Sequence, residues 1–231
     1  MIENPPPLTL YRGFRRPAPD LVARFRGVQT SHLADAMDGA GVLDHRIKPL
    51  DAARAAFAAP ALTAQGTAAD TLAMTAALHE AEAGDAILLG CGGFSGAALI
   101  GDLSAGMMKN KGVVAFVTDG LARDRAGVIE AGMPLFAAGV TANSGAFNGP
   151  AIVGAPVLVG GVWVNPGDIV VGDADGVVVV PLGRAEAVLA RLAAVQAAEA
   201  QTLARVRAGL ADSPLLASFL AAARIIDARA G

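Results

Sequence analysis

Three ionisable side chains, Asp102, Arg123 and Asp124, stand where the pattern of the chain changes, and they are the residues with which this sequence could do chemistry. The two aspartates are hard oxygen ligands suited to Mg²⁺ or Mn²⁺ rather than zinc, and a few carboxylates plus water is how Mg²⁺ is usually held. The amides from Gly101 through Asp102 and Leu103 to Ser104 fall in the first turn of an expected helix, where unpaired N–H groups and the helix dipole favour an anion such as a carboxylate. Arg123 could grip the same anion from the far side. Such residues also abound in loops, and spacing alone favours a surface Arg-Asp turn with a helix-capping aspartate.

What must position them is a β-loop-α-β unit. The apolar run Ala86–Leu89 reads as a buried strand, a glycine-rich loop fills 90–101, a helix is expected from Asp102 to Lys111, and Val113–Val117 reads as a second strand, parallel to the first. Helix starts and the ends of parallel strands meet along one edge of such a sheet, so the 101–104 turn and the 118–124 loop should face one crevice. Upstream, two short helices are expected before any sheet. One follows Pro19, and one starts near Thr30 or Ser31, either of which could cap it. A helix is also expected over 71–83. From Pro134 onward short valine-rich strands alternate with the turns Asn165-Pro166-Gly167-Asp168 and Asp173-Ala174-Asp175-Gly176. The region from Arg184 to about Leu210, and again from Pro214 to Ala230, is alanine-rich with helical spacing.

Asp102, twenty intervening residues, then Arg123-Asp124 resembles the D-x20-R-D signature of the class II pyruvate aldolases that share the RraA-like fold. The resemblance extends over roughly 30–199. It takes in Asp35-Ala36, Gly66-Thr67-Ala68, Gly84-Asp85, Val117-Thr118-Asp119-Gly120, Met133-Pro134-Leu135-Phe136, Asn165-Pro166-Gly167-Asp168 and Gly172-Asp173-Ala174-Asp175-Gly176-Val177. It implies an α/β, layered β/β/α fold with mixed sheets: a catalytic domain over 1–183 and C-terminal helices over 184–231 that belong to the interface of a homo-oligomer, a trimer or a hexamer. It also implies that Asp124 binds a divalent metal, Mg²⁺ or Mn²⁺, that Arg123 contacts a pyruvate moiety, and that the backbone of Gly101, Asp102, Leu103 and Ser104 holds its carboxylate. Asp102 would touch the water shell of the metal, as would Glu199 from the C-terminal helix of an adjacent subunit.

The activity implied is cleavage of a 4-hydroxy-4-substituted 2-oxo diacid to pyruvate and a second oxo acid, with oxaloacetate decarboxylation as a companion. The chain departs from the family in having Gly127 where many members carry an acid, and in lacking a lysine within 143–148. Both differences bear on the second half of the substrate. The RraA-like fold also includes protein-binding regulators of RNase E, which form the alternative reading.

Composition narrows the remainder. A net charge of −3 and 4% aromatic residues offer little to a nucleic acid. No apolar run is long enough to span a bilayer, and the N-terminus lacks the charged and apolar regions of a secretory signal, so a cytoplasmic protein is expected. Cys91, the one cysteine, excludes an internal disulfide. The loop Gly90-Cys91-Gly92-Gly93-Phe94-Ser95-Gly96 lacks Gly-Lys-Ser/Thr and is expected to line the pyruvate site rather than bind phosphate. His32, His45 and His79 form no paired motif and read as structural.

Overall fold

The first described element is a strand, not a helix: β1 (Leu8–Leu10) precedes α1 (Pro19–Ala23) and α2 (Thr30–Ala36) in the computed structural model, which describes residues 5–226. There follow β2 (Lys48–Pro49), the nine-residue β3 (Phe57–Gln65), α3 (Leu72–Glu80), β4 (Ala86–Gly90), β5 (Ala98–Ile100), α4 (Asp102–Asn110), β6 (Ala115–Thr118), β7 (Leu121–Ala122) and α5 (Arg125–Ala131). Seven further strands complete the sheets: β8 (Leu135–Ala137), β9 (Gly139–Val140), β10 (Ala151–Val153), β11 (Val157–Val159), β12 (Val162–Val164), β13 (Ile169–Gly172) and β14 (Val177–Val180). The helices α6 (Ala185–Arg207) and α7 (Leu216–Ala221) end the described chain. Two compact units result, one running to Leu192 and one from Ala193.

Layering follows from the side-chain alternation of the central strands. On β4 and β6, Ile87, Leu89 and Phe116 enter one apolar cluster together with Ala73, Ala77, Ala105 and Met108 of α3 and α4. The intervening residues Ala86, Leu88, Ala115 and Val117 enter a second cluster with Val157, Val170 and Val179 of the C-terminal strands. A strand with helices on one face and a second β layer on the other has no wet side, which is why β4 carries no polar residue. The expected parallel pairing holds, with Ile87 beside Phe116. The main sheet runs β1-β10-β3-β4-β6-β8-β2. Strand β3 joins the layers: its first residues pair antiparallel with β13 and its later ones parallel with β4.

Several boundaries differ from expectation for identifiable reasons. Neither Thr30 nor Ser31 caps α2; Gln29 is the N-cap, and Thr30 gives its amide (2.8 Å) and hydroxyl (2.7 Å) to the Asp173 carboxylate. That pair ties α2 to the turn between β13 and β14. Helix α3 stops at Glu80 because Ala81 turns extended. Beyond it, the Glu82 amide donates to Asp85, which also accepts from Nε and Nη2 of Arg16. The last helix is shorter than the expected 214–230, of which 227–230 lie outside the described residues. No described helix is long and apolar enough to cross a membrane.

Candidate active site

A second, three-stranded parallel sheet, β5-β7-β9, builds the site. Two of its strands sit inside stretches that read as loops, and their pairing brings the two motif halves together. Strands β5 and β7 run side by side, Ile100 beside Ala122, and the Arg123 amide donates to the Ile100 carbonyl at 2.9 Å. Each strand then enters a helix, β5 through Gly101-Asp102 into α4 and β7 through Arg123-Asp124 into α5. Arg123 therefore follows a strand of its own, not the strand Val113–Val117 as expected, and α5 is an element that the sequence pattern does not announce.

The two halves interlock through glycines. A Cβ on Gly101 would lie 2.6 Å from Asp124 Oδ2 and 3.2 Å from Arg123 Cγ and Nε, so those side chains lie directly over the glycine. Reciprocally, a Cβ on Gly127 would lie 2.7 Å from both Cβ and Oδ2 of Asp102. Arg123 Nε lies 3.0 Å from Asp124 Oδ2 as an ion pair, with both side chains about two-fifths exposed. Asp124 is left-handed (φ 54°, ψ 43°), an unusual conformation for a residue with a side chain, and one that turns the strand end into α5 while aiming the carboxylate at Gly101. Asp102 folds back so that its Oδ1 accepts the Leu103 amide at 2.7 Å. Any anion at this helix start would compete with that side chain for the amide. Leu103 and Met107, one turn apart on α4, and Val140 at the end of β9 are exposed, Leu103 at 77%.

Gly101, Asp102, Leu103, Ser104, Arg123 and Asp124 thus come together at the ends of β5 and β7. Glu199 is an exposed residue of α6 in the second unit. Among the described residues no three His, Cys, Asp or Glu side chains gather to hold a metal. Two hard carboxylates at neighbouring helix starts still suit Mg²⁺, which keeps most of its waters and takes one or two carboxylates.

The glycine-rich loop closes on a side chain of its own protein. Its amides enclose an internal carboxylate: Cys91 N and Gly93 N donate to Asp119 at 2.8 and 3.2 Å. Gly90, Gly92, Gly93 and Ser95 line a cleft of about 690 Å³ together with Asp44, Arg46, Asp119 and Trp163, and the Arg123 and Asp124 side chains are not in its walls. Burial, with the Asp119 charge second, pushes the Cys91 thiol up to about 12, which keeps it protonated and unreactive. Two aspartates of the later turns, Asp168 and Asp173, accept backbone amides. Asp168 accepts the Asn165 and Leu182 amides, and Asp173 those of Thr30 and Asp175. His45 and His79 are exposed on the surface.

Interlocked helix starts at the ends of parallel strands bring a guanidinium and two carboxylates together at one edge of an α/β protein. The chain belongs to the Aldolase/RraA family, whose RraA-like model matches residues 30–179. A protein of Halalkalibacterium halodurans, provisionally designated a 4-hydroxy-4-methyl-2-oxoglutarate aldolase, is 38% identical over 178 residues, covering 77% of this chain and 84% of that protein. Among solved structures, one from Pseudomonas syringae of uncharacterised role superposes with a TM-score of 0.73 at 25% identity, covering 85% of this chain and 96% of the other. An unusual member of the RNase ES inhibitor RraA family from Streptomyces coelicolor does so at 0.71 and 28%, covering 83% and 100%. The layered β/β/α reading of the sequence accords with these folds.

Proposed function

We propose that the protein is a divalent-metal-dependent aldolase that cleaves a 4-hydroxy-4-substituted 2-oxo diacid to pyruvate and a second oxo acid, and that it also decarboxylates oxaloacetate. The observation that carries this reading is the convergence of the α4 first turn, Arg123 and two carboxylates at the ends of β5 and β7. The relative in Halalkalibacterium halodurans supports the same reaction class.

In this reading the substrate 1-carboxylate sits against the amides of 101–104, and the Arg123 guanidinium bridges it and the 2-oxo oxygen. Asp124, with Asp102 through water, would hold Mg²⁺ or Mn²⁺, which supplies Lewis-acid polarisation of the 2-oxo group when bound. The C4 hydroxyl gives its proton to a water held by Asp102, its oxygen becomes the carbonyl of the second oxo acid as the C3–C4 bond breaks, and the electron pair of that bond moves to the C2 oxygen as an enolate. Arg123 stabilises the charge that develops on that oxygen, an interaction stronger in the transition state than in the ground state. Protonation at C3 completes pyruvate, with Asp102 placed to hold the water that relays the proton. Oxaloacetate would lose CO₂ from C4 and pass through the same enolate. Exposed Leu103, Met107 and Val140 beside the site favour covering by another copy in a homo-oligomer, a trimer or hexamer in which Glu199 would reach the site of a neighbouring chain. A cytoplasmic location fits such an enzyme.

The test couples pyruvate release from 4-hydroxy-4-methyl-2-oxoglutarate and from oxaloacetate to lactate dehydrogenase, with Mg²⁺, with Mn²⁺ and with chelator. Metal-dependent release that is lost in Arg123→Ala and Asp124→Ala is expected. The likeness to the Streptomyces coelicolor structure supports a second reading, a protein-binding regulator of RNase E. Inhibition of RNase E that survives Asp124→Ala, with no pyruvate from either substrate, would select it.

A further inference from the structure

Gly127 sits inside α5, where glycine is a poor choice: it loses more backbone freedom than any other residue and packs nothing. Its φ lies outside the left-handed range, so conformation does not call for it. Close approach does. A Cβ at this position would come within 2.7 Å of Asp102 Cβ, 2.7 Å of Oδ2 and 3.1 Å of Cγ. Rotating the aspartate could clear its oxygen but not its Cβ, which the α4 backbone fixes. In this chain, with its helix starts as close as they are, a side chain at 127 would therefore spread the starts of α4 and α5 by roughly 0.7 Å to reach ordinary contact at 3.4 Å. Those starts carry Gly101-Asp102 and Arg123-Asp124.

Helix α5 is also held from outside, so the spreading cannot be absorbed at its far end. Arg54 donates to the Ile129 carbonyl at 2.8 Å, and Lys109 of α4 donates to that of Ala131. At the near end the Val128 amide returns to the Asp124 carbonyl at 3.0 Å, within the same turn as Gly127. Displacement at 127 is thus delivered to Asp124.

We propose that Gly127 is a positioning residue of the site: by leaving no side chain on α5, it lets the Asp102 carboxylate lie between the two helix starts and sets the distance from Asp102 to the Arg123-Asp124 pair. This rests on the aldolase reading for its catalytic consequence and on packing alone for its geometric one, and the experiment separates the two.

A double-mutant cycle is made from Gly127→Ala and Asp102→Gly, the second of which removes the three atoms nearest the new methyl. In the otherwise unchanged protein, Gly127→Ala should lower kcat for pyruvate release about 10- to 100-fold, the scale of an ångström-sized misplacement, with KM changed less than about 3-fold. In the Asp102→Gly background the same change should alter the residual kcat by less than about 3-fold, and should raise Tm by about 2–4 °C as alanine replaces a helical glycine. In the protein with Asp102 present, that gain in Tm should be absent. Equal effects of Gly127→Ala in both backgrounds, on kcat and on Tm, would overturn the proposal. If the parent protein releases no pyruvate, the aldolase reading fails, and the Tm cycle still decides: a gain confined to the Asp102→Gly background upholds the positioning, and the same gain in both refutes it.

Discussion

Replacing Gly101 by alanine separates the requirements of the fold from those of the site. The backbone there is extended (φ −134°, ψ −171°), which any residue adopts, so alanine brings no conformational penalty. What it brings is a methyl 2.6 Å from Asp124 Oδ2 and 3.2 Å from Arg123 Cγ and Nε, where ordinary contact begins at 3.4 Å. The carboxylate must retreat by about 0.8 Å, and the guanidinium, ion-paired with it at 3.0 Å, must follow or let go. Both side chains are about two-fifths exposed, so they can move into solvent and the ion pair itself carries little stability, on the order of 0–1 kcal/mol. Melting should therefore change by less than about 3 °C. Catalysis should not escape, since displacement of a reacting constellation by about an ångström costs on the order of 10²-fold. In the coupled pyruvate assay Gly101→Ala is expected to lose about 30- to 100-fold in kcat/KM, and Gly101→Ser at least as much. A variant that keeps kcat/KM within about 3-fold of the parent would refute the interlocked arrangement of Gly101 with Asp124. A variant that melts many degrees lower would show that the glycine serves the fold instead.

Other consequences follow from single residues. Asp124→Gly and Asp124→Ala both remove the carboxylate and should both lack lyase activity. Because position 124 is left-handed, the glycine variant should nonetheless melt about 1–4 °C above the alanine variant, the reverse of the usual order. Buried Asp85 is paired with half-buried Arg16 and with the Glu82 amide, so Asp85→Ala should cost about 3 kcal/mol in a urea titration. A loss under about 1 kcal/mol would contradict that pairing. Burial pushes Asp70 upward, but the amides of Asn148, Leu72 and Gly149 outweigh it and hold the carboxyl below its ordinary 3.8. Its contribution, about 1.5–3 kcal/mol, is full above pH 3.8 and fades as pH falls through the lowered folded value. The stability gap between parent and Asp70→Asn should accordingly be wide at pH 7 and narrow below about pH 4, and a gap independent of pH would count against the reading.

The legibility of this chain depended on where periodicity carries information. Strands β4 and β14 announce themselves, because an apolar or valine run bounded by turns has few other uses. Strand β3 does not. Phe57–Gln65 is alanine-rich with a central proline, a composition that argues against a strand, and only its pairing with β13, β4 and β10 makes it one. Local preference was overruled by contacts with residues far along the chain. The same holds at the site. Asp102, Arg123 and Asp124 could be singled out from residue type and spacing, but β5 and β7 are three and two residues long, too short for any pattern to show.

Glycine was the signal that could have been read further. Gly101 and Gly127 each stand beside one half of the motif, and neither has a positive φ to explain it. A glycine that no turn demands marks a place where something comes close. Here each glycine faces a carboxylate from the opposite half, so the pair would have predicted the crossing of Asp102 and Asp124 before any strand was assigned. The loop at 90–96 shows the converse. Its glycines at 92 and 93 do take positive φ, and the amides they help to turn inward are taken by Asp119, so a glycine-rich loop after a strand here encloses a side chain of its own protein. A loop of that composition identifies an anion-sized nest, and only the structure says whose anion fills it.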